Sequence, residues 1–263
     1  MNFSFLKPFG VVLESDYPNQ SIFDLTPLQI EDLALVHKLT IFRGFQSLSK
    51  DALESFAGRM GNLLKWDFGH VLDLRLQCDP ANHLFSNGRV ELHWDGAFAE
   101  ATPRFNLFQC QQENEHECQG GETIFVDTAR LWNSLEPDKQ NAWRDCVIDY
   151  QTEKKAHYGG AIRQNLVTEH PTTGETVLRF IEPYNEDNLG VNPVQTSVLG
   201  LDAEHQEPFL RDLVSRMYHD DVMYKHQWQQ GDFMIVDNLS LLHGRTRFSK
   251  TQVTRHLQRV HIL

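Results

Sequence analysis

The chain has 263 residues, of which 40% are hydrophobic and 23% are charged, and its formal net charge is −12 at pH 7. These values suit a globular protein and exclude collagen-like, disordered and repeat architectures. The negative charge, with no cluster of Lys or Arg, argues against nucleic acid as a partner.

Four cysteines are too few and too scattered for a disulfide scaffold. The first ten residues lack a basic segment, and Lys7 and Pro8 interrupt their apolar stretch, so a signal peptide is not expected. No apolar run reaches the roughly 18 residues of a membrane span. We therefore expect a cytoplasmic protein with a small-molecule partner; a homo-oligomer is neither indicated nor excluded.

The first 60 residues predict mixed α and β structure. Thr26, Pro27 and Gln29 form a capping box with proline in the first turn, which is typical of a helix start. A buried strand is predicted for residues 39–42, and Ser49 is expected to cap a second helix.

From about residue 83 the pattern favours short strands separated by Gly-containing turns. The predicted strands are residues 105–111, 123–126, 177–181, 224–228, 233–236 and 254–262. Helices are predicted for residues 128–147, broken at Pro137, and for 204–218, while the turn-rich residues 151–200 are expected to cover one mouth of the barrel. This order predicts one α+β domain, residues 1–263, with a double-stranded β-helix (jelly roll) core and flanking helices.

His93 and Asp95 are separated by one residue in a predicted strand, so their side chains point to the same side. Together they can offer an imidazole and a carboxylate to one metal ion. About one His-x-Asp is expected by chance, and a half-buried pair without metal is the plain alternative. Residues 219–221 repeat the pattern at a predicted helix end, where side chains two apart diverge by about 200° and should not converge.

The C-terminal region adds a third ligand. An apolar strand from Gly231 runs into a polar turn at Asp237 and Asn238, and His243 follows. Two histidines and one carboxylate form the facial triad that leaves open positions on iron(II). Further on, Arg255 and Arg259 share a face if their segment is a strand, and an inward arginine calls for an anion such as a dicarboxylate. The plain alternative for each is an outward arginine paired with an acidic side chain.

These pieces, in this order, resemble the taurine dioxygenase (TauD/TfdA) family: His93-x-Asp95, then residues 120–123 (Gly-Gly-Glu-Thr), then residues 231–243, then Arg255. The resemblance covers most of the chain and implies a clavaminate synthase-like fold. It also implies Fe(II) held by His93, Asp95 and His243, and 2-oxoglutarate and O2 as co-substrates. In the family, the position of Arg255 grips the distal carboxylate of 2-oxoglutarate with Thr123, and that of Arg259 often holds an anionic group of the substrate.

A narrower resemblance points to the PvcB-type oxygenases of isonitrile biosynthesis, which oxidise an isonitrile made from an aromatic amino acid. It is carried by residues 91–96, by 157–160 (His-Tyr-Gly-Gly) and by 177–183. Tyr158 is accordingly predicted to contact substrate, with a lid residue packed on the barrel as its plain alternative. Trp94 and Phe98 flank the ligands and are predicted to line the pocket, with core aromatics as the plain alternative, favoured for Phe98. A carboxylate at Asp95, where related halogenases carry a small residue, favours hydroxylation or desaturation in secondary-metabolite biosynthesis.

Three alternatives stay open at this point. The chain could be a non-enzymatic jelly roll that binds a ligand, with no need for the metal set. It could hold zinc at His116 and Cys118, perhaps with Cys110, although the spacing matches no closed zinc motif. It could also be an oxygenase of the same family that acts on a free amino acid or a sulfonate.

Overall fold

The computed structural model describes residues 2–77, 80, 83–114, 119–155, 158–184, 186–187, 193–250 and 254–263. Its strands are β1 (Asn2–Phe5), β2 (Val11–Glu14), β3 (Leu39–Arg43), β4 (Val71–Leu74), β5 (Val90–His93), β6 (Phe105–Gln112), β7 (Thr123–Asp127), β8 (Val147–Lys155), β9 (Tyr158–Asn165), β10 (Val167–Glu169), β11 (Thr176–Leu178), β12 (Gln195–Val198), β13 (Met223–His226), β14 (Phe233–Asp237), β15 (Leu241–Arg245) and β16 (His256–Ile262). Its α-helices are α1 (Pro27–His37), α2 (Lys50–Gly58), α3 (Thr128–Ser134), α4 (Pro137–Arg144) and α5 (Ala203–Met217). Short 3-10 turns lie at Ile22–Asp24 and His83–Phe85.

Two sheets face each other and form the barrel. The larger has the strand order β1-β2-β3-β14-β6-β16-β4, and the smaller has the order β13-β7-β15-β5. All pairings within them are antiparallel except β2 with β3. This arrangement, with helices outside, confirms the predicted jelly roll with mixed α and β content.

The outer face of the larger sheet is covered by α1 and α2. Thr26 caps α1 in a capping box with Gln29, and Ser49 caps α2, both as predicted. Apolar residues of the two helices pack with those of strands β6, β14 and β16 in one buried cluster, for example Ile30 and Phe56 with Phe233. The predicted N-terminal α/β segment therefore supports one wall of the barrel.

Strand periodicity decides which side chains enter the barrel. On β7, Phe125 belongs to the cluster between the two sheets, whereas its neighbours Ile124 and Val126 belong to a cluster outside. On β15, Leu242 points outward in the same way, so that His243 points inward between the sheets. The inner space is thus lined by alternate residues of each strand.

The prediction for residues 151–200 was incomplete. Part of this segment forms a three-stranded sheet, β12-β8-β9, and the β10-β11 hairpin. Tyr150 and Phe180 pack there against the outward-facing residues of the smaller sheet. The strands were missed because polar and turn residues interrupt them, with buried residues such as Ile148 and Tyr150 alternating with Asp149 and Gln151.

Several element boundaries also differ from the prediction. The helix expected for residues 128–147 consists of α3 and α4, and Val147 already begins β8. The strand expected to begin at Thr254 begins at His256, and a register shift separates His256 from Leu257. Within the described residues, no helix is both long and apolar enough to span a membrane.

Candidate active site

The structure brings His93, Asp95 and His243 together. His93 ends β5 and lies opposite His243 in the antiparallel register of β5 and β15, and their ring centroids are 4.4 Å apart. Asp95 follows two residues after His93. One ligand atom from each residue lies within 4.8 Å of the others, and no other such group of three occurs in the part of the chain that the structure describes.

The two imidazoles have nitrogens to offer. Nδ1 of His93 is 2.8 Å from the carbonyl oxygen of Glu91, which leaves Nε2 directed towards the carboxylate of Asp95, 3.7 Å away. Nε2 of His243 is buried, and no described residue forms an aligned hydrogen bond with it. Burial lowers the pKa of His243 to about 4, so this ring is neutral at pH 7 and has a lone pair to offer. Two neutral imidazoles and a carboxylate fit the donor set of iron(II).

The carboxylate of Asp95 is surrounded by donors. Nη1 of Arg259 donates to Oδ1 and Oδ2 at 3.1 and 2.8 Å, and Nδ2 of Asn106 donates to Oδ2 at 2.9 Å. Nε2 of His261 and of His243 lie 3.1 and 3.3 Å from the same Oδ2. Burial alone would raise the pKa of Asp95, but the adjacent Arg259 and the nearby histidines hold it well below its usual range. The side chain is therefore anionic and ready to bind a cation.

The backbone of Asp95 is held by Asn238. Its side-chain oxygen accepts the Asp95 N–H at 2.9 Å, while its amide nitrogen donates to the carbonyl oxygens of Asp95 and Pro103 at 3.1 and 2.8 Å. Arg179 in turn donates to the Asn238 carbonyl at 2.8 Å. The polar turn that sequence analysis noted before His243 thus positions the metal-side aspartate.

A single cavity reaches the metal set and the two predicted arginines. The residues that line it are Leu74, Leu84, Val90, His93, Phe108, Thr123, His243, Gly244, Arg245, Arg255, Leu257 and Arg259. The polar members of the set are those expected for a metal and anions, and the apolar members form a wall for a hydrophobic group.

Thr123 and Arg255 lie at one end of this cavity. The hydroxyl oxygen of Thr123 accepts a hydrogen bond from Nε1 of Trp228 at 2.8 Å, so the hydroxyl proton remains available for a ligand. Arg255 donates to the carbonyl oxygen of Gly121, and its guanidinium lies 4.8 Å from the ring centroid of Phe248. Gly121 has φ +78°, and a Cβ there would collide with the Phe248 ring, which explains the glycine in the Gly-Gly-Glu-Thr motif.

Arg245 is a site residue that sequence analysis missed. It stands two residues after His243 on β15, pairs with Thr123 of β7, and lies 4.9 Å from the centroid of Phe248, the same ring that Arg255 contacts. Its guanidinium donates to the carbonyl oxygens of Leu84, Ser86 and Gly88. Burial lowers its pKa to about 9, with a further contribution from Arg255. Its position two residues from His243 on a strand was the signal that could have revealed it.

The predicted substrate residues have different outcomes. Arg259 lines the cavity but contacts Asp95. Trp94 packs in the outer cluster, 6.2 Å from Tyr150 between ring centroids, because it alternates with the inward His93. This geometry gives no support to a substrate contact by Trp94. Phe98 is in the same outer cluster, in line with its plain alternative, and the side chain of Tyr158 and all of His157 lie outside what the structure describes.

The prediction that residues 219–221 cannot converge was wrong. Helix α5 ends at Met217 and Tyr218 caps it, so residues 219–221 form a turn, and Nδ1 of His219 lies 3.3 Å from the Asp221 carboxylate. Both side chains are largely exposed. The pair is thus a solvated surface contact, and no third ligand joins it within the described residues.

The zinc alternative receives no support. Cys110 is buried in the cluster between the sheets, and burial raises the pKa of its thiol to about 12, which disfavours the thiolate that zinc needs. His116 and Cys118 lie outside the described residues.

Comparison with known proteins defines the class. Residues 6–261 match the family described as "Taurine catabolism dioxygenase TauD, TfdA family". The chain is 46% identical to 3-((Z)-2-isocyanoethenyl)-1H-indole synthase of Fischerella ambigua, over 98% of this chain and 94% of that protein. It is 34% identical to tyrosine isonitrile desaturase of Pseudomonas aeruginosa, over 97% and 87%.

Solved structures agree. PvcB, described as an Fe, alpha-ketoglutarate dependent oxygenase from an isonitrile synthetic pathway, superposes with a TM-score of 0.78 at 31% identity, covering 97% of this chain and 86% of that one. AAD-2 in complex with Mn(II) and N-oxalylglycine, at 18% identity, has a TM-score of 0.75, which shows the shared fold.

The chain therefore belongs to the TauD/TfdA family. It is an Fe(II)- and 2-oxoglutarate-dependent oxygenase that uses O2 and acts on a small molecule. The predicted class, fold and cofactors are confirmed. Of the two alternatives, an enzyme and a non-enzymatic barrel, the comparisons support the enzyme. The predicted cytoplasmic location and the oligomeric state stay predictions.

Proposed function

We propose that this enzyme desaturates an isonitrile derived from an aromatic amino acid, with loss of the carboxylate, to give an aryl-substituted ethenyl isonitrile. One observation carries the assignment of the site: His93, His243, Thr123, Arg255 and Arg259 all line one cavity beside Asp95. The choice of substrate is supported by the names of relatives that match nearly the whole chain. We also propose that residues 1–263 act as one oxygenase domain.

In this proposal His93, Asp95 and His243 hold Fe(II). The two Nε2 atoms and a carboxylate oxygen are close enough to bind one ion, and His243 stays neutral because burial lowers its pKa. When bound, the iron together with 2-oxoglutarate and O2 supplies the oxidation. The protein contributes fixed ligands and a buried site from which bulk water is largely excluded.

Arg255 and Thr123 hold the distal carboxylate of 2-oxoglutarate. Arg255 is 7% exposed, and a planar guanidinium pairs well with a carboxylate. Thr123 accepts from Trp228 and can therefore donate its own proton to the same carboxylate. This part of the cavity combines the cation of Arg255, the neighbouring buried Arg245 and one hydroxyl, which suits an anionic group.

Arg259 orients the carboxylate of the main substrate while it also contacts Asp95. Its Nε is buried, and no described residue accepts a hydrogen bond from it. The apolar part of the cavity wall, which includes Leu74, Leu84 and Leu257, offers a surface for the aromatic ring. A substrate held in this way has its carboxylate, side-chain carbon and ring at defined distances from the iron ligands. Tyr158 stays a prediction, since the structure does not describe its side chain.

The proposed reaction balances as follows. The carbon that bears the ring loses a hydrogen, whose bonding electrons pass to the oxidant. The carboxylate leaves as CO2, and the electron pair of the broken carbon–carboxylate bond forms the new carbon–carbon double bond. This is a two-electron oxidation. Conversion of 2-oxoglutarate into succinate and CO2 supplies the other two electrons that O2 needs, so one oxygen atom enters succinate and the other leaves as water.

The indole-containing substrate is tested first, because the chain is 46% identical to the indole isonitrile enzyme and 34% identical to the tyrosine isonitrile desaturase. Succinate release would be measured with the isonitrile acids derived from tryptophan and from tyrosine. Free tryptophan, free tyrosine and taurine represent the alternative substrate classes. We expect release with the isonitrile acids, highest for the indole. Release triggered by a free amino acid or by taurine, and by neither isonitrile, would overturn the proposal.

A further inference from the structure

His261 is a buried histidine that the proposed chemistry does not use. It lies on β16 two residues after Arg259, on the same face of the strand, and is 3% exposed. Its Nδ1 accepts a hydrogen bond from Nε1 of Trp66 at 3.0 Å, and the Trp66 ring packs edge-on against it with centroids 5.6 Å apart. An indole nitrogen can only donate, so Nδ1 of His261 carries no proton. The hydrogen of the imidazole is therefore on Nε2.

That Nε2 faces the carboxylate of Asp95. It lies 3.1 Å from Oδ2, which is within hydrogen-bonding distance, but the N–H direction is not aligned with the oxygen. No other described residue offers this N–H an aligned acceptor. Asn106, which is opposite His261 in the β6–β16 register, donates to the same Oδ2 at 2.9 Å. Two neighbouring strands thus direct neutral N–H groups at one oxygen of the carboxylate.

We propose that His261 is a positioning residue for the metal ligand Asp95, with its tautomer fixed by Trp66. His261 and Asn106 hold Oδ2, which also faces Nε2 of His243 at 3.3 Å, and they thereby fix the rotation of the carboxylate, whose Oδ1 lies nearer to His93. This inference rests on the proposed metal site. The indole of Trp66, which is not a metal ligand, determines that His261 donates from Nε2.

A neutral donor is the physically suitable choice at this place. A protonated His261 would turn a second N–H towards the indole N–H, and it would add a positive charge beside a site that must receive a cation. Groups that orient a ligand in this way are commonly worth about 10- to 100-fold in metal affinity.

The test is Co(II) titration of the metal-free enzyme, followed by the visible absorption of the bound ion, with no co-substrate or substrate present. We expect His261→Met to weaken Co(II) binding about 10- to 100-fold. His261→Gln should bind Co(II) with an affinity within about threefold of the wild type, because its side-chain amide can still donate to Oδ2. Trp66→Phe keeps the ring but removes the donor, and it should fall between the two.

The matched control is His256→Gln, which alters a histidine on the same strand that contacts Asp73 rather than the site. It should bind Co(II) like the wild type. If the wild type itself fails to bind Co(II), the proposed metal site fails. If the wild type binds and His261→Met and Trp66→Phe bind equally well, or if His261→Gln is as weak as His261→Met, the positioning role is overturned. Should His261→Met not fold, Trp66→Phe against wild type decides the question.

Discussion

Two of the buried histidine–aspartate pairs among the described residues, His243–Asp95 and His226–Asp232, have different roles. Nε2 of His243 is 3.3 Å from Asp95, and Nε2 of His226 is 3.4 Å from Asp232. All four side chains are at most 7% exposed. Burial lowers the pKa of both histidines, and in both pairs the contacts made by the carboxylate hold its pKa below the usual value. By distance and burial the pairs are nearly the same.

Their surroundings differ. Arg43 binds Asp232 through two parallel hydrogen bonds, Nε to Oδ1 at 2.8 Å and Nη2 to Oδ2 at 2.9 Å. The hydroxyl of Tyr224 lies 3.3 Å from the other ring nitrogen of His226. This pair is thus enclosed by its own partners, and no third metal-ligating side chain joins it among the residues that the structure describes.

The site pair has a second imidazole, His93, and opens to the cavity. A short distance between a buried histidine and an aspartate therefore does not by itself indicate a metal centre. What separates the two pairs is a third ligand at the right distance and an opening to the cavity, since Nε2 of both His226 and His243 is buried without an aligned hydrogen bond.

Removal of one histidine from each region is the most direct test of whether only one of them binds metal. We expect His93→Ala to abolish both Co(II) binding and substrate-triggered succinate release, because a ligand is lost while the fold remains. His226→Ala should bind Co(II) normally but lower the free energy of unfolding by about 0.5–3 kcal/mol, since it removes a buried ring that packs edge-on against Trp228. Isothermal Co(II) titration and urea unfolding measure the two effects. Normal succinate yield from His93→Ala would contradict the metal assignment.

The co-substrate end of the cavity gives the next largest effect. Arg255→Ala removes a charge-assisted hydrogen bond worth about 1.5–3 kcal/mol, so the KM for 2-oxoglutarate should rise roughly 10- to 150-fold with the fold intact. Steady-state kinetics with varied 2-oxoglutarate measures this. Arg211→Ala, on the exposed surface of α5, is the control and should leave the KM unchanged. An unchanged KM in Arg255→Ala would remove Arg255 from the co-substrate site.

A smaller change is expected at Thr123. Thr123→Val keeps the shape but deletes the hydroxyl, so 2-oxoglutarate loses one neutral hydrogen bond of about 0.5–1.5 kcal/mol, or roughly a 2- to 12-fold rise in KM. Thr123→Ser retains the donor and should stay near the wild type. Equal KM values for Thr123→Val and wild type would show that the hydroxyl does not contact the co-substrate.

The sequence predicts the part of this site that follows strand rules. His93 and Asp95 two apart, and His243 on a neighbouring strand, are local patterns with a recognisable order. The other residues that support the site are far from the ligands in the sequence. Trp66 reaches His261 from 195 positions away, and Asn106 meets Asp95 across two sheets. Such contacts depend on register and topology, which no short motif encodes.

The predictions that the structure leaves unsupported or incomplete have the same origin. Trp94 was predicted at the substrate because it adjoins two ligands, and this stays a prediction without structural support, since strand alternation turns its side chain outward into the cluster with Tyr150. Strands β8 and β9 were missed because their polar side chains face solvent, as in the exposed Arg163–Asp149 pair. In both cases the neighbouring residues in space, rather than in sequence, decided the outcome.

The smallest expected effect concerns pH and returns to the two histidine–aspartate pairs. Burial lowers the folded-state pKa of His226 and His243, so the unfolded chain binds more protons once the pH falls below about 6.5. Stability is therefore fully present above that value and is lost as the pH falls towards 4, by at most about 1.4 kcal/mol per pH unit for each histidine. His226→Gln should lose less stability than wild type between pH 6.5 and 5.5, as urea unfolding of the metal-free proteins would show. Equal losses would mean that His226 takes up its proton in the folded protein, and the enclosed pair would then not be held neutral by its burial.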